Sequence, residues 1–356
     1  MEQEVATVGL DLAKNVFQVH AIAADGAVLI RRKLRRTEVI RFFTELPPCL
    51  VGMEACASAH HWARELIAIG HEVRLMPPAY VKRYVKRGKT DAADAEAICE
   101  AVTRPTMRFV AVKSVEQQAV LMLHKSRDLM VRQRTMLINA LRGHLAEYGI
   151  VTSLGAGGVV ASLKALHEEQ DRFPAHARSA LHGIAAQLRA LTSEIDRLEA
   201  QILDWHRNDE TSRRLGTIPG IGPITASAIA AAVPDPSLFR SGRQFAAWLG
   251  LTPRANSSGG KERLGGITKQ GDGYLRRLLV VGSTAVMRMT RKNPARQPWM
   301  AGRLERKPTK IATVALANKT ARIAWAVMTR KEVYAAARIR RSPSLDNRVM
   351  GCVGAA

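Results

Sequence analysis

The sequence predicts an α/β domain at the N-terminal end, a helical middle segment with coiled-coil character, and a mainly α-helical C-terminal domain. Short apolar runs alternate with helical patterns over residues 1–110. Apolar residues three and four apart dominate residues 111–208, and Gly-rich turns separate short helical patterns over 209–330. Residues 331–356 are expected to form a basic tail.

The first domain combines early hairpin-like strands with a later alternation of strands and helices. Strands are predicted where a short apolar or β-branched run ends at a turn signal, over 6–10, 16–22, 28–30, 50–53 and 73–76. Helical spacing predicts helices over 39–46, 60–69 and 91–102. Thr90 is the expected N-cap of the last of these helices.

The middle segment carries a long apolar seam. Apolar residues alternate three and four apart from Leu181 to Trp205, and an earlier helical pattern covers 120–145. A Gly-rich stretch at 155–158 and Pro174 separate the two patterns. The spacing predicts an antiparallel helical hairpin or a dimerising coiled coil. A plain packing seam between two helices remains the alternative.

The third domain opens with a Gly-rich turn, Ile218-Pro-Gly-Ile-Gly-Pro223. Such a turn before a helix resembles helix–hairpin–helix elements, in which backbone amides at the helix start meet a phosphate. Gly220 and Gly222 are therefore candidate nucleic-acid-binding residues. Gly and Pro also mark many ordinary helix starts, so an architectural turn is the alternative.

The charge balance points to nucleic acid. The chain of 356 residues has 54 Lys and Arg against 31 Asp and Glu, a net charge of +23. Self-repulsion of this size disfavours a compact state unless a polyanion neutralises it, and a phosphate backbone is the usual partner. A merely basic soluble protein and an anionic membrane surface are the alternatives, and no lipidation or amphipathic anchor supports the second.

Cysteine spacing and hydropathy favour a reduced, cytoplasmic protein with no membrane segment. The four cysteines show no CxxC pair and are expected to be small buried side chains. No signal peptide is visible, and no apolar run approaches the roughly 18 residues that indicate a membrane span.

Four acidic residues occupy unusual positions in this basic chain. Asp11 and Glu54 each close a predicted strand, and Asp91 and Asp94 lie three apart on one face of a predicted helix. Carboxylates that converge from different elements suit Mg²⁺, and a two-metal phosphodiester site needs about four such groups. Taken singly, each acid is as well explained as a solvated or helix-capping residue.

A basic cluster precedes the acidic pair. Five cations fall within eight positions: Lys82, Arg83, Lys86, Arg87 and Lys89. Next to a centre that cleaves a polyphosphate, such residues are expected to bind the nucleic-acid backbone. A solvated basic helix face is the alternative.

A Ser/Gly-rich stretch lies in the most basic part of the chain. Residues 254–310 contain 14 Lys and Arg against three acids, and Asn-Ser-Ser-Gly-Gly-Lys occupies 256–261. Glycines let the backbone approach a phosphate and leave a serine hydroxyl exposed. The stretch is either a phosphate-binding loop or the source of a nucleophile. Candidate nucleic-acid-binding residues around it are Lys261, Arg263, Lys269, Arg276 and Arg277.

Several motifs together resemble one family. GLDLAK (9–14), GMEA (52–55) and KRGKTDAADAEAI (86–98) resemble the N-terminal domain of a family of bacterial insertion-sequence transposases. GLTPRANSSGGKERLGGITKQGDGYLR (250–276) and VALANKTARIAWAV (314–327) resemble the C-terminal domain of the same family. The resemblance covers nearly the whole chain, with both domains in the family's order.

The resemblance implies an RNase-H-fold, RuvC-like DEDD domain in which Asp11, Glu54, Asp91 and Asp94 bind Mg²⁺, while Glu96 does not. It also implies a serine nucleophile in the C-terminal domain. This maps onto Ser258, with Ser257 as the second choice.

The resemblance further implies a recombinase that acts on donor and target DNA under the guidance of a bridge RNA. The implied assembly is a homo-oligomer, from dimer to tetramer, in which one protomer's acids meet another's serine. Cations of the first long helix, Arg134 and Arg142 among them, are expected to bind this RNA by shape and charge.

Two other functions fit the same residues. One is a RuvC-like junction endonuclease that hydrolyses DNA with a metal-activated water, its serine loop serving only to bind. The other is a non-enzymatic nucleic-acid-binding protein with inactive acids. No GxxxxGK[ST] motif is present, which argues against ATP-driven transposition.

Overall fold

The computed structural model describes residues 3–85, 90–256 and 263–335. The chain forms two compact units. The N-terminal unit comprises Met1–Ser212 and Gly222–Gln244, and the C-terminal unit comprises Arg213–Ile221 and Phe245–Ala356.

A five-stranded mixed sheet forms the base of the N-terminal unit. Its strands are β1 (Thr7–Asp11), β2 (Val16–Ile22), β3 (Val28–Arg35), β4 (Leu50–Glu54) and β5 (Glu72–Met76). They lie in the order β3-β2-β1-β4-β5. The β1–β2 and β2–β3 pairs are antiparallel, whereas β1–β4 and β4–β5 are parallel. The predicted α/β character of this region is confirmed.

One strand is longer than predicted. The sequence predicted that β3 ends at Ile30, because the basic residues 31–36 break the apolar run, but the strand continues to Arg35. As an edge strand, β3 leaves its charged side chains in water, while Leu34 alternates into the core. Its whole length pairs with β2, down to Val16 opposite Arg35.

Four helices accompany the sheet: α1 (Val39–Thr44), α2 (Ala59–Ala68), α3 (Pro78–Val81) and α4 (Asp91–Val102). The apolar core between the sheet and the first helices includes Phe17, Phe43, Trp62 and Leu66. The helix over 91–102 begins and ends where the sequence predicted. The Thr90 hydroxyl accepts a hydrogen bond from the Ala93 amide at 3.2 Å, as expected of an N-cap.

Long helices complete the N-terminal unit: α5 (Val115–Ala146), α6 (Ala156–Glu168) and α7 (Ala175–Asn208). The apolar seam of α7 packs against α5 within the same chain, around Leu141, Leu145, Leu181 and Leu188. The two helices run antiparallel, since Arg127 near the start of α5 pairs with Glu199 near the end of α7. The Gly-rich stretch that separated the two patterns holds the start of α6, a helix that the sequence did not predict.

Helix α9 (Pro223–Ala232) packs against both α5 and α7. Its small side chains allow close packing, and the buried Ser227 hydroxyl lies 3.1 Å from Nε2 of the buried His124. Burial, together with the nearby Arg127, lowers the pKa of His124 to about 4, so this imidazole is neutral in the folded unit near pH 7.

The C-terminal unit is mainly helical, as predicted. After α8 (Glu210–Gly216) and α10 (Gly242–Trp248), it contains α11 (Gly273–Lys292), α12 (Pro298–Arg306) and α13 (Thr309–Arg330). Strands β6 (Pro253–Ala255) and β7 (Leu264–Ile267) pair as a short antiparallel ribbon. Packing of α12 and α13 on α11 buries Met287, Met300 and Leu316.

The cysteines follow the prediction only in part. Cys49 and Cys99 are buried free thiols, and burial raises the pKa of each to about 11. Cys56 is exposed, so the expectation of a buried side chain is wrong there, because it lies in the loop that leaves β4. Cys352 lies outside the described residues. Among those residues no helix combines the length and apolar character needed to cross a bilayer.

In the C-terminal unit, Gly220 and Gly282 pack so closely that a side chain at Gly282 would overlap the backbone. Gly220 has a φ of +88°, and a Cβ added to Gly282 of α11 would lie 1.8 Å from the Gly220 carbonyl oxygen. We expect Gly282→Ala to lower the free energy of unfolding by about 3 kcal/mol, measured by urea denaturation, because the overlap is with rigid backbone.

Gly183→Ala is the matched control, because Gly183 is also helical but has nothing within 4 Å of its added Cβ. This substitution is expected to raise stability by about 0.5–1 kcal/mol, because alanine favours helix. Equal effects of the two substitutions would contradict the close glycine contact.

Candidate active site

The position of α4 is set by two glycines in the sheet. A Cβ added to Gly9 of β1 would lie 2.1 Å from the Ala95 carbonyl oxygen and 2.5 Å from the Cys99 amide nitrogen. A Cβ added to Gly52 of β4 would lie 2.8 Å from Cβ of Val102. The absence of side chains at both positions therefore lets α4 lie directly on the two central strands.

This packing brings three carboxylates together. Asp11 ends β1, while Asp91 and Asp94 occupy the first turn of α4, which runs antiparallel to β1. Each of the three offers an oxygen atom within 4.8 Å of the others. Asp11 and Asp94 are half-buried, and Asp91 is exposed.

The three-acid cluster fits a divalent cation. Three carboxylates this close repel one another, and the positive end of the α4 dipole offsets only part of that repulsion. Hard cations such as Mg²⁺ take oxygen ligands of this kind and leave positions for water and substrate phosphate. Asp11, Asp91 and Asp94 are thus the residues that would hold the ion.

Glu54, the fourth predicted acid, lies beside Asp11 in the sheet. It ends β4, and the parallel register pairs Leu10 with Met53, so the next residues of the two strands are Asp11 and Glu54. It does not belong to the group of three whose oxygens lie within 4.8 Å. Glu96 of α4 is also outside that group.

The basic cluster before α4 is described only in part. Lys82 and Arg83 lie exposed in a 3-10 turn that contacts α4. The other predicted members, Lys86, Arg87 and Lys89, lie outside the described residues.

The two predicted RNA-binding arginines of α5 differ in their surroundings. Arg134 is half-exposed on the helix. Arg142 donates from Nη2 to the Ser153 carbonyl at 2.5 Å and to the Gly155 carbonyl at 3.3 Å. These two hydrogen bonds hold the loop before α6 in place, so the Nη2 group of Arg142 stabilises the fold.

The serine stretch lies between β6 and β7. Ser257, Ser258 and Lys261 are outside the described residues, whereas the strands on either side are described. Arg263, which immediately precedes β7, is exposed, and its carbonyl accepts a hydrogen bond from the Asn256 amide at 2.8 Å. We refer to residues 249–271 as the serine hairpin.

Two side chains hold the base of the serine hairpin. Arg276 of α11 donates from Nη1 to the carbonyls of Leu249 and Gln270, each at 2.9 Å, and so joins the two ends of the hairpin. Asn318 of α13 donates from Nδ2 to the Leu251 carbonyl at 3.0 Å. The hairpin is therefore tied to both main helices of its unit. Sequence reasoning assigned Arg276 to nucleic acid and missed Asn318, although a lone amide in an apolar helical pattern was a usable signal.

Three residues at the base of the serine hairpin have left-handed backbone conformations. Gly250 and Gly271 have φ values of +70° and +76°, and a Cβ on Gly271 would lie 1.9 Å from the Trp248 carbonyl oxygen. Lys269 also has a left-handed φ of 57° and donates its amide to the Gly250 carbonyl at 3.1 Å. The side chain of Arg277, another predicted nucleic-acid contact, is exposed and lies over the ring of Tyr274.

The Gly-rich turn at 218–223 has an architectural role at one glycine. Gly220 packs against the backbone of α11 at Gly282. Gly222 is exposed and precedes α9 as its N-cap residue.

Comparison with known proteins agrees with this description. A transposase model for the DEDD domain of IS110-type elements matches residues 8–150, and the model of the Transposase IS116/IS110/IS902 family matches residues 212–299. The chain is 51% identical to a probable family 20 transposase of Pseudomonas aeruginosa, over 93% of this chain and 98% of that protein.

Two further relatives are named for their elements. The transposase for insertion sequence element IS1328 of Yersinia enterocolitica is 40% identical over 93% of this chain and 98% of its own length. The transposase for IS1111A of Coxiella burnetii is 39% identical over 93% and 92%.

A mixed sheet with an acid cluster at the end of its central strand, together with these matches, defines a DNA transposase of the DEDD class. The chain belongs to the IS110/IS116 family of insertion-sequence transposases. Membership of a DEDD family and the three-acid cluster both support dependence on a divalent metal.

The cluster predicts direct metal binding by the free protein. We expect Asp11→Asn, Asp91→Asn and Asp94→Asn each to weaken Mn²⁺ or Mg²⁺ binding at least about tenfold in titration calorimetry, because each removes a charged ligand. Glu100→Gln is the control, an exposed acid of the same helix that pairs with Arg104. Metal binding that is unchanged in all three Asp variants, or equally lost in the control, would refute the site.

Proposed function

We propose that this transposase excises and inserts its element by metal-dependent strand cleavage with a covalent phosphoserine–DNA intermediate, in the cytoplasm and under the guidance of a bridge RNA. The observation that carries the proposal is the meeting of Asp11, Asp91 and Asp94 at the N-terminus of α4. The RNase-H-like, RuvC-like assignment of this domain belongs to the same proposal, supported by the β3-β2-β1-β4-β5 sheet and its acid placement.

The serine step requires no reactant other than the DNA, because each phosphorus–oxygen bond that breaks is replaced by another. The Ser258 hydroxyl oxygen attacks phosphorus, a bond from phosphorus to a DNA oxygen breaks, and the serine proton leaves to that oxygen or to solvent. A DNA hydroxyl later attacks the phosphoserine, the P–Oγ bond breaks, and serine regains a proton. The phosphodiester is thus exchanged, not hydrolysed, which suits cutting and rejoining.

Positioning is the contribution of the described residues in and around the serine hairpin. Arg276 of α11 and Asn318 of α13 hold the base of the hairpin in place through hydrogen bonds to its backbone carbonyls. The exposed Arg263, which follows the serine stretch along the chain, supplies positive charge for the oxygens of the attacked phosphate. The divalent ion would contribute Lewis-acid stabilisation at the acid cluster when bound, in one-metal or two-metal form.

Bridge-RNA binding is proposed on charge and family membership. A net charge of +23 disfavours the compact state through self-repulsion, and a bound polyanion would relieve that repulsion. Lys82, Arg83 and Arg134 are accessible to an RNA backbone. The rival function, a metal-dependent junction endonuclease, is favoured by one point only: a divalent ion held by the three-acid cluster would activate water without any serine.

The serine step predicts a protein-linked DNA strand. With Mg²⁺, donor junction DNA and the flanking non-coding RNA, the wild-type protein should yield a covalent complex that survives denaturing gel electrophoresis. Ser258→Ala is expected to remove both this complex and strand transfer, by at least about a thousandfold, since no other oxygen replaces the nucleophile.

Ser257→Ala is the control and should retain activity, while Asp11→Ala should block the reaction through loss of metal. Cleavage that survives both serine substitutions, singly and together, would establish the endonuclease instead.

We also propose a homo-oligomer, dimer to tetramer, with α5 at its interface. Val115, Met122, Leu129 and Met136 are seven residues apart and are 68%, 67%, 48% and 69% exposed. Successive residues at this spacing form one stripe along the helix. The seam of α7 is already used within the chain, so this second stripe is the surface that a second copy of α5 would cover.

The stripe predicts a change in assembly. Met122→Glu with Leu129→Glu should shift the protein from dimer towards monomer in analytical ultracentrifugation at micromolar concentration, because buried like charges oppose association. Thr135→Glu is the control, exposed on α5 but about 100° away from the stripe at Met136. Unchanged sedimentation of the double variant, or a monomeric wild type, would reject the α5 interface.

A further inference from the structure

The edge strand β3 carries a dense set of cations. Five of the six residues from Arg31 to Arg36 are Arg or Lys, and all five are exposed. A charged edge strand protects a sheet from pairing with another chain. Protection of the edge requires charged side chains, but these need not all be positive. It also does not require that the charged residues be in register with the acid cluster.

The register of the sheet places two of these cations in line with the acid cluster. Asp11 of β1 is opposite Gln18 of β2, and Gln18 is opposite Lys33 of β3. In the adjacent row, Gly9 is opposite His20, and His20 is opposite Arg31. Directly opposed residues project on the same face of a sheet.

That face is the one on which α4 lies. The missing Cβ of Gly9 points at Ala95 and Cys99 of α4, so Gly9, Asp11 and their partners across the sheet project to this side. Arg31 and Lys33 therefore project on the side where Asp91 and Asp94 meet Asp11. Two strand spacings separate the backbones of Lys33 and Asp11, roughly 10 Å.

The other face of β3 is different in kind. Arg32 opposes Val19, and its guanidinium lies 5.8 Å from the ring centre of Phe42, while Leu34 is buried in the core. Arg32 thus covers apolar side chains on the side away from α4. Arg32 carries the same charge as Arg31 and Lys33 and lies on the same strand, but its side chain projects from the opposite face of the sheet.

No described residue neutralises the charges of Arg31 and Lys33. Within the described part of the chain, neither side chain has a hydrogen bond or an acidic group at ion-pair distance. They lie two residues apart, so their Cα atoms are roughly 6.7 Å apart, close to the separation of successive phosphates on one nucleic-acid strand. Exposed, unpaired cations at this spacing are suited to a phosphodiester backbone.

We propose that Arg31 and Lys33 bind consecutive phosphates of the nucleic-acid strand that enters the acid cluster, and so align that strand along the sheet edge. This inference rests on the proposed function only in taking Asp11, Asp91 and Asp94 as the cleavage site. The proposed binding surface lies at the sheet edge beside that site, because the intervening Gln18 and His20 of β2 are buried. No sequence motif indicated it.

Direct binding measurements test the proposal. Fluorescence anisotropy in EDTA, over a series of salt concentrations, compares a labelled DNA duplex with the element's flanking RNA. We expect Arg31→Ala with Lys33→Ala to weaken binding about tenfold at 0.1 M salt and to lower the slope of log K against log salt by about 1.8, since each lost duplex contact removes about 0.9. Arg32→Ala is the matched control and should leave the slope unchanged.

Each outcome has a definite meaning. A reduced slope with DNA alone identifies the strand as DNA, and a reduced slope with RNA alone identifies it as RNA. An unchanged slope with both ligands, or an equal loss in Arg32→Ala, overturns the proposal, provided that thermal unfolding shows folded variants. Because binding is measured on uncut strands without metal, the result stands even if the serine test fails.

Discussion

The close approach of α4 to the sheet at Gly9 is the contact on which the acid cluster depends. A helix normally rests on a sheet through layers of side chains, but here the Ala95 carbonyl and the Cys99 amide occupy the space that a Cβ would fill. The first turn of α4 is thereby held against the end of β1. The carboxylates converge because of backbone packing several residues away, and the helix dipole then offsets part of their repulsion.

Some cationic side chains of this protein stabilise the fold through hydrogen bonds, whereas others are exposed on the surface. Buried or constrained carbonyls require donors, and Arg276 and Arg142 each supply two hydrogen bonds from one guanidinium. Arg31 and Lys33 have no such task among the described residues. A high net charge therefore indicates a polyanionic partner, but it does not identify the cations that touch the partner.

Apolar periodicity shows a similar division between two helices. The seam of α7 is buried against α5, whereas the stripe from Val115 to Met136 on α5 remains exposed. Both stripes have heptad spacing. The longer and more regular seam is buried within the chain, and the sparser one is the surface that we propose a second copy covers.

The sequence by itself determined the strand order along the chain, the helix over 91–102 with its Thr90 cap, and the pairing of Asp91 with Asp94 on one helix face. These follow from local periodicity and capping chemistry, which neighbouring residues decide. Only the tertiary structure decided that Asp11 joins this pair while Glu54 lies beside it, that Arg276 holds a hairpin, and that Arg31 and Lys33 share a face with Asp11. Sheet register and backbone contact at Gly9 connect residues up to about ninety positions apart, and nothing in the local pattern encodes which of them will meet.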